Sequence, residues 1–132
     1  MQSVLHYSMH LLVPLLFAWL CAPKNWKRAY LILLATMLVD LDHLLVDPIF
    51  RADRCSIHFH LLHRYEIWPI YLGMILFRSP IRWIGLGLTW HMLTDLADCL
   101  MTFSNCAACL EGAPAEELVR RIVHFYQRYF SM

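Results

Sequence analysis

Hydrophobic residues fill this chain in four long runs with short basic or polar punctuation between them. The first run covers residues 3–21 and ends at APKNWKR. The second, 29–46, closes at Asp47-Pro48, because proline disfavours helix in the residue before it. A polar connector, IFRADRCS, leads to a third run at 57–77, with Ser56 as its N-cap and Pro69 as a kink. After RSPIR the fourth run spans 83–103. Each is close to the ~20 residues a helix needs to cross a hydrocarbon core. Residues 104–115 read as a loop of small residues. The segment 115–130, AEELVRRIVHFYQRYF, carries Leu118, Ile122, Phe125 and Tyr129 on one helical stripe. Its acids come first and its arginines later, as the helix dipole favours. Such a helix lies on a membrane surface or packs on the bundle. The expected fold is all-α: a four-helix transmembrane bundle plus a C-terminal amphipathic helix, in one domain covering 1–132.

Composition sharpens this picture. Hydrophobic residues make up 60% of the 132 and charged ones 16%, against roughly 25% in ordinary globular chains. A net charge of +1 gives no reason to expect a nucleic-acid partner. Residues 1–10 contain no Lys or Arg, so the first run lacks the basic start of a signal peptide and is expected to be retained. Lys24, Lys27, Arg28, Arg78 and Arg82 fall in the connectors after runs one and three. The positive-inside rule makes that side cytoplasmic and sends both termini to the periplasm. Five cysteines include a lone CxxC, Cys106 and Cys109, for which disulfides or free thiols are the ordinary readings.

The ionisable residues fall at one depth. His6 and His10 open run one, and Asp40, Asp42, His43 and Asp47 end run two. His58, His60 and His63 open run three, and His91, Asp95 and Asp98 lie in the outward half of run four. Helical spacing puts His6 with His10, Asp40 with His43 and Asp47, and His91 with Asp95 and Asp98 on shared faces. Asp42 falls off its face and either orients a ligand or points to another helix. A lone membrane histidine is ordinarily an interhelical hydrogen-bonder. Here seven of eight histidines join at least four aspartates in one leaflet, where each charge costs at least ~2.5 kcal/mol. A divalent metal offsets that cost by neutralising several carboxylates. Imidazole with carboxylate suits zinc, or manganese or iron where carboxylates dominate, at one to three ions. Asp98 and Asp47 are the candidate general bases.

In order, LHYSMH, DLDHLLVDP, RCSIHFHLLH and HMLTDLADC resemble a family of small bacterial inner-membrane proteins described as metal-dependent hydrolases. That family is distantly similar to the helical zinc-dependent phospholipase C and P1 nuclease group. Its HRxxTHS element reads HFHLLHRY in this chain. The resemblance implies His6, His10, Asp40, Asp42, His43, His60, His63, His91 and Asp95 as metal ligands. It implies metal-dependent phosphoester hydrolysis in the inner membrane; the depth of the cluster, at headgroup level on the periplasmic side, makes a lipid or lipid-linked phosphoester the expected substrate. The alternatives are a divalent-metal or proton transporter and a membrane protein that metal merely stabilises.

Overall fold

The computed structural model of the chain describes residues 2–45 and 55–130, and these are helical without strands. Five α-helices are present among them: α1 (Gln2–Cys21), α2 (Trp26–Ala35), α3 (Trp68–Met74), α4 (Ile81–Asn105) and α5 (Glu116–Phe130). The long central α4 is the spine on which the other four pack. By length and composition, α1 is the one described helix long and apolar enough to cross a membrane.

Close approach sets the packing on α4. A Cβ on Gly85 would lie 2.8 Å from Tyr71 O and 2.9 Å from Ile75 N, so only glycine lets α3 approach this near. At Gly87 the same atom would lie 2.5 Å from Thr36 Oγ1. Far from the polar residues, Ala18, Ala29 and Leu33 form a small apolar core with Trp83 and Leu86 against it. A second core joins Ile57, Met92, Leu110 and Val119, seating the first half of α5 on α4.

Run two changes pitch halfway. Beyond α2, residues Thr36–Leu45 wind as a 3-10 helix instead of continuing the expected α-helix. The change begins where Thr36, fitted against Gly87, turns its hydroxyl back to Leu33 O at 2.6 Å. With three residues per turn, side chains three apart stack in line. Three ridges result. Thr36, Val39 and Asp42 are buried; Met37, Asp40 and His43 are half-buried; Leu38, Leu41 and Leu44 are exposed. The α-helical face expected for Asp40, His43 and Asp47 is therefore replaced by a ridge carrying the first two. Asp47, together with Pro48, Arg51 and Arg54, lies outside the described residues.

Run three is not one helix. Turns and single 3-10 turns at Leu61–His63 and Tyr65–Ile67 precede the seven-residue α3. Ser56 caps no helix; its carbonyl accepts the Phe59 amide at 3.2 Å. His58 takes a left-handed φ of 62° and donates its amide to His63 O at 2.9 Å, folding the chain back on itself. Pro69 sits in the first turn of α3, where a missing N–H costs nothing, so it opens a helix instead of kinking one. The five polar and charged side chains between 58 and 66 interrupt the apolar period that a continuous helix would need. Gly73 on α3 has nothing within 4 Å of its Cβ position.

Two disulfides close the polar end of the molecule, Cys55–Cys99 and Cys106–Cys109, while Cys21 at the opposite end of α1 is free and exposed.

Candidate metal centre

Four segments deliver donors to one place. α1 contributes His6 and His10, which share a face at i, i+4. Pro14 withdraws the donor that would reach the His10 carbonyl. The neighbouring carbonyls of Met9 and Leu11 accept Trp90 Nε1 at 2.9 Å and Tyr30 OH at 3.3 Å. The 3-10 segment contributes Asp40, Asp42 and His43, the folded loop His60 and His63, and α4 His91 and Asp95. All nine expected ligands fall into three adjoining groups: Asp40, His63, His91 and Asp95; His6, His10 and Asp95; Asp42, His43 and His60.

The first group is the tightest. His63 Nε2 lies 3.1 Å from His91 Nε2, 3.3 Å from Asp40 Oδ1 and 3.2 Å from Asp95 Oδ2. His91 Nε2 lies 3.1 Å from Asp40 Oδ1 and 3.5 Å from Asp95 Oδ2. Two imidazole nitrogens this close share either a hydrogen bond, with the donor set by the tautomer, or a bound cation. A regular tetrahedron with edges of about 3.3 Å has its centre about 2.0 Å from each corner, the length of a zinc–nitrogen or zinc–oxygen bond. Five of the six edges of this N₂O₂ donor set are close to that edge length, at 3.1–3.5 Å.

Asp95 links this group to the second. Its Oδ2 faces His63 and His91, and its Oδ1 faces His10 Nε2 at 3.6 Å. A carboxylate with one oxygen toward each group is placed as a bridge. His10 Nε2 and Asp95 Oδ2 are buried and make no hydrogen bond, and neither do His43 Nε2 and Asp42 Oδ1. Buried polar atoms are normally paired, so this set fits donors kept for a cation.

Asp42 holds a different position. Its Oδ2 accepts the Leu62 amide at 2.8 Å and stands 3.1 Å from His63 Nδ1. That contact puts the proton on Nδ1 and leaves the Nε2 lone pair for the tight group. Tyr71 OH donates to Leu62 O at 3.1 Å and fixes the same loop from the other side. His43 stacks on His60 with ring centroids 3.7 Å apart.

Asp98 stands at the rim. Its Oδ1 is 3.7 Å from His6 Nδ1 and accepts Gln2 Nε2 at 3.0 Å. Gln2 also donates to Thr102 Oγ1 at 2.9 Å. Sequence reading passed over Gln2, although it lies one helical turn before His6 and continues the His6–His10 face. His58 stands apart from the cluster, stacked on Tyr65, with Nδ1 3.4 Å from Glu66 Oε2. Arg64 pairs with Glu66 at 3.2 Å.

The cluster opens into a cleft of about 610 Å³, with His6, Asp40, His43, Asp95 and Asp98 on its polar side. Another groove, about 820 Å³, follows α5 and contains none of the cluster residues.

Over residues 1–102 the chain matches a family described as a family of unknown function (DUF6122). The chain belongs to this family. No curated protein and no solved structure matches it. The matched segment contains every residue of the cluster and leaves α5 outside.

Proposed function

We propose that this protein is a membrane-embedded, metal-dependent hydrolase acting on a lipid or lipid-linked phosphoester. The observation that carries the reading is the four-atom group of His63, His91, Asp40 and Asp95, five of whose six mutual separations are 3.1–3.5 Å, as zinc donors would be spaced. The orphaned donors around Asp95 favour a second ion beside it, and Asp42, His43 and His60 offer room for a third.

Membrane embedding is supported by an inverted distribution of polarity. Asp42, His60, His63, His91 and Asp95 are buried, while Leu12, Leu16, Leu31, Leu41, Ile70 and Leu76 stand exposed. So much apolar surface is untenable in water. The contiguous α2 and 3-10 segment together reach about 35 Å, and the 25-residue α4 about 37 Å, enough for a core of ~30 Å. α3, at about 10 Å, is too short to cross, and the irregular chain before it is tolerable because it lines a polar cavity. Disulfides at the cluster end, with free Cys21 and basic Lys24, Lys27 and Arg28 at the other, favour a cluster facing an oxidising exterior.

Metal held by three donors of this group, with the fourth position open toward the cleft that Asp40 lines, would supply Lewis acidity and a water that loses its proton near neutral pH. The chain's own groups do the rest. Asp42 holds His63 in its ligating tautomer. Asp98, steadied by Gln2 and open to the cleft, is placed to take a proton, the role that its sequence position suggested. The cleft gives a substrate access that a closed structural site would not need.

The test is hydrolysis by protein purified without chelator and held in lipid nanodiscs. Zinc-dependent release of product from a phosphoester panel, lost to background in His91→Ala and Asp40→Ala, is the expected result. Bound metal with no phosphoester turnover in any member, soluble or lipid, would overturn the reading.

A further inference from the structure

The cleft has a second wall that the metal chemistry does not use. Because the 3-10 segment repeats every three residues, Leu38, Leu41 and Leu44 form a continuous ridge next to the ridge of Met37, Asp40 and His43. All six residues line the same cleft. The leucines are 63%, 57% and 57% exposed. Across the cleft stand Ser3 and Tyr7 of α1, the latter 62% exposed. A polar floor of carboxylates and imidazoles is thus flanked by an apolar rail about 12 Å long, continuous with the outer apolar surface.

We infer that this rail, between α1 and the 3-10 segment, is a lateral binding site for the hydrocarbon chain of a lipid phosphoester. The inference rests on the phosphoester reading above and names the part of the substrate that the metal cluster cannot recognise. The headgroup phosphate meets the cationic centre held by Asp40, His63, His91 and Asp95. The chain lies along Leu38, Leu41 and Leu44 and leaves sideways past Tyr7 into the bilayer. An α-helical turn would have rotated the leucines progressively off this line. The three-residue period keeps them beside the ligands along their whole length.

Binding of n-alkylphosphonates to the zinc-loaded full chain in one detergent tests this without needing turnover. Ethylphosphonate probes the metal centre, and octylphosphonate adds six methylenes for the rail. Each buried methylene strengthens binding by up to about fourfold; with partial burial, octylphosphonate is expected to bind at least about 30-fold more tightly than ethylphosphonate. In Leu38→Gln/Leu41→Gln that ratio should fall below about threefold. The gentler Leu41→Ala, which keeps the surface apolar, should reduce it by at least about threefold. Equal affinities in the parent chain, or a ratio unchanged in both variants, would overturn the rail while leaving the metal reading intact. Absence of zinc-dependent ethylphosphonate binding would remove both. If the leucine variants convert a dimer to a monomer with the ratio unchanged, the ridge is a contact between copies and the proposal fails.

Discussion

Asp42 Oδ2 stands 3.1 Å from His63 Nδ1 while His63 Nε2 stands 3.1 Å from His91 Nε2. One imidazole therefore connects a buried carboxylate on the 3-10 segment to the donor cluster on α4. Partners of this kind orient a ligand and raise its basicity, and their loss typically costs 10–100-fold in metal affinity. Asp42→Ala should weaken zinc binding by about that factor, measured by chelator competition, with the four tight-group donors intact. An affinity equal to that of the parent chain would show that the Leu62 loop alone orients His63.

The glycines of the bundle differ sharply. At Gly85 a methyl group meets backbone atoms of Tyr71 and Ile75, which cannot move aside without shifting α3. Gly85→Ala should cost about 1–3 kcal/mol, whereas Gly73→Ala, with open space around it, should be neutral or gain up to about 1 kcal/mol from helix propensity. Thermal unfolding of the two variants in one detergent decides this; an inverted order would contradict the packing described.

Most of this architecture can be read from the sequence where one period holds. α1, α4 and α5 lie within about two residues of their expected limits. The convergence of seven histidines and several aspartates at one end also follows from depth alone. What escaped was pitch. Residues 36–45 have apolar positions compatible with an α-helix, yet they wind as a 3-10 helix from Thr36, which packs on Gly87 of a distant helix. The three-residue pitch sets which way Asp42 points, so α-helical spacing could not assign its role. The third run failed for a different reason: its first ten residues fold as a loop around polar side chains, held by bonds from Asp42 and Tyr71. On α5, Phe125 and Tyr129 of the expected stripe remain exposed while Val119 is buried, because only the first half of the helix reaches α4.

The Cys55–Cys99 disulfide ties the histidine loop to α4 one turn beyond Asp95, closing a separation of 44 residues. Cross-links over loops of this size contribute about 2–5 kcal/mol. Cys55→Ser/Cys99→Ser should lower both the unfolding temperature and zinc affinity, since two ligand-bearing segments lose their tether. The Cys106–Cys109 link spans three residues, so Cys106→Ser/Cys109→Ser should change stability far less. Equal losses in the two double variants would argue against the tether.

At the start of α5, Glu116 accepts Arg120 Nε at 2.7 Å and the Gly112 amide at 2.8 Å. The Arg120 guanidinium, with the Gly112 N–H assisting, holds the carboxyl below its ordinary value of 4.5. A carboxyl depressed in the folded state stabilises at neutral pH, and that contribution fades as acid protonates it. The hydrogen-exchange protection factor at Gly112, referred to the intrinsic rate at each pH, should therefore fall as pH drops below about 4.5, and Glu116→Gln should remove most of this pH dependence. A profile identical in the variant would assign the effect elsewhere.

The central claim is that these histidines and aspartates hold metal. The decisive measurement is elemental analysis of the chain purified without chelator, alongside His63→Ala and His91→Ala, at neutral pH and again near pH 5. One to three zinc, manganese or iron ions per chain are expected. Both variants should lose most of that metal, as should the parent protein at pH 5, where protons compete for imidazole. A chain free of metal at neutral pH, or two variants that retain the full complement, would contradict it.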